Sequence, residues 1–167
     1  MNGENVVSAD NQQERLDINW IIGFVDGEGC FHIAINKLKK MTLGYQVLPE
    51  FRVVQHQRDE ETLQKLKSFF GFGNVVRNHK DRKEFRVRGL ENLNKLVDFF
   101  KKNPLQTTKQ KNFELFSHVI DLMNKKEHLN KEGLEKIANL SSKMNRQVAR
   151  CLESSETICQ NPEMEKI

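Results

Sequence analysis

Residues 20–36 read WIIGFVDGEGCFHIAIN. Apolar residues at Trp20, Ile21, Ile22, Phe24 and Val25 run directly into Asp26-Gly27-Glu28-Gly29. From Cys30 the period changes to two: Phe31, Ile33 and Ile35 alternate with His32, Ala34 and Asn36. An apolar helix therefore stops at a pair of carboxylates, and a half-buried strand starts at once. Asp17 is well placed as the N-cap of that helix. A helix end carries unpaired carbonyls and the negative pole of its dipole. Asp26 and Glu28 add negative charge there, and a hard cation such as Mg²⁺ or Ca²⁺ would offset it. On these residues alone a plain glycine C-cap flanked by surface acids is the better account of the tetrapeptide.

Outward from this stretch the chain repeats itself. Tyr45–Gln55 alternates as a second strand, with Pro49 allowed only at an edge or irregularity. Residues 59–70 form an amphipathic helix, opened by Asp59 and closed by Gly71. Two more strands flank a Lys-Asp-Arg-Lys turn, and a further helix stops at Asn103-Pro104. Helices follow over 109–124 and 131–144. The pattern predicts an α+β fold, αββαββα, with one four-stranded antiparallel sheet, apolar on its helix side and polar on the other, plus C-terminal helices. Residues 1–16 read as a flexible lead, 17–150 as a single domain and 151–167 as a disordered tail.

Charge is unevenly spread. Residues 1–30 hold one basic and six acidic side chains, residues 31–112 hold 18 and 8, and residues 113–167 hold 8 and 9. The basic middle points to a polyanion. The polar sheet face is expected to carry His32, Asn36, Gln46, Glu50, Arg52, Asn78, Glu84, Arg86 and Arg88. Arg suits guanine, Asn and Gln suit adenine, and Glu suits cytosine. Lys143 and Arg146 are expected to hold phosphates. The three cysteines show no metal spacing, and the five histidines share none either. No apolar run approaches the ~18 residues of a membrane span, and the N-terminus lacks a signal-peptide layout.

Residues 20–29 resemble the LAGLIDADG motif of homing endonucleases, with Gly23, Asp26, Gly27 and Gly29 in the expected places and Glu28 at the final acidic position. Trp20 departs from the usual leucine. The resemblance covers about residues 17–124, and the motif occurs once. It implies the single-motif homodimeric branch, encoded by organellar introns. It further implies a Mg²⁺-dependent DNA double-strand break in a long near-palindromic target, with Ca²⁺ able to bind without supporting cleavage. On that resemblance Glu28 and the Gly27 carbonyl hold metal, and Gln55, Lys109 and Arg58 complete the catalytic set. Ile21, Ile22, Gly23, Phe24 and Asp26 form the dimer interface. The alternatives are a maturase that binds intron RNA and a non-catalytic DNA-binding regulator. The implied location is an organelle, the chloroplast ahead of the mitochondrion.

Overall fold

The computed structural model describes residues 16–144. The elements run α1 (Ile18–Glu28), β1 (Gly29–Lys37), β2 (Tyr45–His56), α2 (Glu60–Phe70), β3 (Asn74–Arg77), β4 (Arg82–Val87), α3 (Leu90–Lys102), α4 (Lys109–Asn124) and α5 (Lys131–Met144). This is the expected αββαββα order followed by two helices. Expectations for residues 1–15 and 145–167, Arg146 among them, lie outside the described residues. Among the described residues no helix is long and apolar enough to cross a membrane.

The sheet order is β1-β2-β4-β3, antiparallel throughout. Gly29 pairs with Val53 and His32 with Glu50 across β1 and β2, while Gln55 pairs with Lys83 across β2 and β4. Pro49 sits opposite Ile33. Pairing of β2 with β4 starts only at Phe51, so Pro49 has a strand on one side and its missing N–H costs no ladder bond.

The helices cover one sheet face. Phe31, Phe51, Phe85, Phe100, Phe113 and Phe116 are buried there beside Leu63, Leu66, Leu93 and Leu96. The Phe31 ring meets four others at centroid distances of 5.0–5.8 Å, tilted or edge-on. Such offsets suit the aromatic quadrupole better than face-to-face stacking. α5 closes the edge of β1, where the Ser141 hydroxyl donates to the Ile33 carbonyl at 3.1 Å.

Helix ends follow their local chemistry. Asp17 accepts from the N–H groups of Asn19 and Trp20. Gly71 ends α2 in the left-handed region at φ 72°. Asn130 accepts from Gly133 N at 2.8 Å and caps α5. Asp59 departs from expectation. It stands at the start of α2 but makes no capping bond, because a 3-10 turn over Gln57–Asp59 intervenes and His56 Nδ1 accepts from Arg58 N instead. The Asp59 carboxylate lies 3.4 Å from Arg58 Nε.

The α1–β1 junction is tight for a specific reason. A Cβ on Gly29 would lie 2.6 Å from Val25 Cγ1 and 2.8 Å from the Val25 carbonyl. Gly29 N also donates to that carbonyl. Gly29 is thus required by close approach, with ordinary extended dihedrals. We expect Gly29→Ala to cost about 1–3 kcal/mol. Melting temperature reads this directly; an unchanged value would mean that the junction yields freely.

Candidate active site

The close of α1 is where the chemistry gathers. Ile21 and Val25 are 0 % exposed and anchor α1 to the sheet. Trp20 is 42 % exposed and stacks on Phe24 at 4.7 Å. Gly23 and Gly27 have no atom within 4 Å of a would-be Cβ. Trp20, Gly23, Phe24 and Gly27 recur at i, i+3, i+4 and i+7, so they share one open helix face. Ile22 and Phe24 are half-buried. Ile21 corrects the interface expectation: it turns inward into its own core and leaves the open face to Trp20. Trp20, absent from that expectation, shares the open face, because Ile21 and Val25 set the inward phase of α1.

Asp26 is committed within the chain. Its carboxylate accepts from Gln106 N at 2.7 Å, Thr107 N at 3.2 Å and the Thr107 hydroxyl at 2.8 Å. This clamps the loop before α4 onto the end of α1. Thr107 Oγ1 in turn accepts from Lys109 N at 3.2 Å. The clamp delivers Lys109: its ammonium donates to the Val25 carbonyl at 2.9 Å and the Gly27 carbonyl at 3.3 Å. A cation thus meets the negative pole of α1. Asp26 therefore braces the turn and is engaged within its own chain. No sequence signal marked Thr107.

Glu28 is exposed at the last position of α1. Among the described residues no group of three or more His, Cys, Asp or Glu stands ready to hold a metal. One chain offers the Glu28 carboxylate and the Gly27 carbonyl. Those are hard oxygen donors, and they fit Mg²⁺ or Ca²⁺ completed by water, phosphate oxygens or a second copy.

Gln55 lies near the end of β2, two residues past the partner of Gly29 and on the face of Phe51 and Val53. Directly opposite, Lys83 shares that face. Lys83 Nζ lies 3.3 Å from Glu60. Arg58 is placed otherwise. It rides the 3-10 turn, its side chain 78 % exposed and set against Asp59. The basic side chain beside Gln55 is therefore Lys83; alternation from Phe85 and Val87 gives its face, and the β2–β4 register gives its partner.

The other sheet face collects His32, Asn36, Gln46, Glu50, Arg52, Asn78, Glu84, Arg86 and Arg88, as the alternation implied. Lys143 does not join them. It lines a groove between α4 and α5 with His118, Leu122 and Glu132. On the sheet face, burial pushes the His32 imidazole below its ordinary 6.5, Arg52 pushes the same way, and Glu50 pulls back. The unfolded chain then binds a proton that the folded protein refuses, so this contribution to stability is lost as pH falls below 6.5. We expect His32→Gln to flatten the dependence of melting temperature on pH between about 7 and 5. An unchanged slope would contradict this.

Comparison with known proteins places the chain in a family. The family model described as LAGLIDADG endonuclease matches residues 21–120. The probable intron-encoded endonuclease 3 of Neurospora crassa is 33% identical over 134 residues, 79% of this chain and 25% of that protein. The chain spans about a quarter of the length of the first two curated relatives and less than half of the others. The crystal structure of the homing endonuclease I-TnaI is similar at TM-score 0.77 and 48% identity, over 79% of this chain and 90% of that one. I-SmaMI bound to its uncleaved DNA target in the presence of calcium ions is similar at TM-score 0.78 and 34% identity, over 81% of this chain and 47% of that one.

Proposed function

This chain belongs to the LAGLIDADG endonuclease family, and on that premise we propose that it is a site-specific homing endonuclease. Two copies pair through their α1 helices and hydrolyse one phosphodiester in each strand of a long, near-palindromic DNA target. The observation that carries this is the exposed Glu28 at the tip of a helix whose open face is apolar and glycine-notched. Pairing along that face would cover Trp20 and Phe24, and it would bring two Glu28 carboxylates together. The part of DNA-bound I-SmaMI that matches is 47% of that chain, which leaves room there for a second unit of this size beside the first.

In the reaction Glu28 and the Gly27 carbonyl would hold Mg²⁺. When bound, that ion polarises the phosphate and lowers the pKa of a water. Glu28 fixes where negative charge is tolerated beside the DNA. Lys109, already aimed at the end of α1, offsets charge on the phosphate. Gln55 orients a water, and Lys83 serves as its basic neighbour in the place first given to Arg58. No covalent enzyme intermediate is required. The outer sheet face lies in the major groove, so a two-fold dimer spans ~20 base pairs. Relatives named as intron-encoded endonucleases support an organellar origin, and they give the chloroplast no preference over the mitochondrion.

The test is selection of cut sites from a randomised duplex library with Mg²⁺ or with EDTA. Recovery of one near-palindromic site, cut only with metal, is the expected result. Binding of DNA without cutting under any divalent ion would favour the regulator, and preference for structured intron RNA would favour the maturase.

A further inference from the structure

The centre of the outer sheet face is organised around two carboxylates that solvent hardly reaches. Glu84 is 1 % exposed and Glu50 6 %. Glu84 Oε2 accepts from Asn78 Nδ2 at 2.8 Å, and its Oε1 takes both Nε and Nη2 of Arg86. Glu50 Oε2 takes Nε and Nη2 of Arg88, each at 2.6 Å. Its other oxygen lies 3.2 Å from Arg52 Nε, near enough for ion pairing but without hydrogen-bond geometry.

A carboxylate that reads cytosine needs an outward lone pair facing the groove. These oxygens are instead buried beneath guanidinium groups. The same carboxylates resolve a conflict in the sheet. Arg52 and Arg86 are direct cross-strand partners, and like charges in that relation repel. Glu50 and Glu84 flank that pair and neutralise it.

The arginines are left with a defined residue of donors. A guanidinium that spends Nε and one proton of Nη2 retains three N–H groups, two of them along its Nη1/Nη2 edge. That edge fits guanine O6 and N7 together. Holding it before DNA arrives removes rotamer freedom that would otherwise be lost on binding.

We propose that Glu50 and Glu84 are positioning residues that hold Arg88 and Arg86 as guanine readers, and that neither carboxylate reads a base itself. This rests on the endonuclease reading above, and it replaces the expectation that the two glutamates select cytosine. The recognised chemistry is the O6/N7 edge of guanine in the major groove, on rows of the sheet fixed by Glu84 and Glu50.

The experiment measures binding in Ca²⁺ to the selected target and to every single base-pair substitution of it. It compares the wild type, Glu84→Gln, Arg86→Ala and the double variant. Arg86→Ala should abolish a guanine preference at one position in each half-site. Glu84→Gln should weaken that same preference about tenfold and leave other positions alone. The double variant should match Arg86→Ala. Should Glu84→Gln melt too low to assay, Glu50→Gln against Arg88→Ala is read in the same way. A glutamate variant that alters a position its arginine partner leaves untouched, or alters none, overturns the proposal. A wild type that cuts its site, with these glutamate results, overturns the positioning role alone. A wild type with no base preference overturns the endonuclease reading with it.

Discussion

Glu28→Gln will bind its DNA target nearly as well as the wild type and cut it at least about a thousandfold more slowly. Glutamine keeps the size and one carbonyl oxygen but removes the charge proposed to hold a divalent ion. The side chain is exposed and contributes no packing, so the variant should fold with an unchanged melting temperature. Binding is expected to depend on the polar side chains of the outer sheet face, to which Glu28 does not belong. The check is a matched pair of assays: binding in Ca²⁺ and single-turnover cleavage in Mg²⁺. Equal loss in both would mean that Glu28 positions DNA and does no chemistry; cleavage kept near the wild-type rate would remove it from the reaction.

If two copies pair through α1 as proposed, Trp20→Glu will give a folded monomer and abolish double-strand cleavage. Trp20 stacks on Phe24 at the open face of α1 and is partly exposed, so a charged side chain there is tolerated by the single chain. Facing its copy across a two-fold axis, it would bring two carboxylates together in an apolar seam, at a cost of several kcal/mol. Gly23→Ala sharpens the test. Nothing within 4 Å obstructs a Cβ in the single chain, and alanine favours a helix by about 0.5–1 kcal/mol. If α1 packs against its copy, the added methyl should weaken the dimer while the monomer gains stability. Sedimentation and melting curves separate these effects. A Trp20→Glu protein that remains dimeric would place the interface elsewhere.

The fold was legible where sequence period and punctuation agree. Asp17, Gly71 and Asn103-Pro104 mark helix limits that the structure reproduces, because each acts through short-range capping or proline chemistry. Strand alternation likewise separated the core face from the polar face. What escaped depends on contacts across the chain. Asp59 looked like a cap, but the 3-10 turn before it redirects the local bonds. Ile21 and Trp20 look alike as apolar helix residues, and only packing against the sheet decides which turns inward. Thr107 lies 81 residues from Asp26, and no local pattern signals that bond. Lys83 became a neighbour of Gln55 only once the β2–β4 register was known. Glu50 and Glu84 were assigned to the correct face, but nothing in a one-dimensional pattern announced that arginines would cover them.

Soaking the DNA complex with Mn²⁺ and recording its anomalous scattering tests most directly whether two helix ends share the work of cutting. Peaks coordinated by the Glu28 carboxylate and the Gly27 carbonyl, beside the two scissile phosphates that the two-fold axis relates, are the expected outcome. Manganese bound elsewhere, or Glu28 side chains turned to solvent with the phosphates held by other groups, would contradict it.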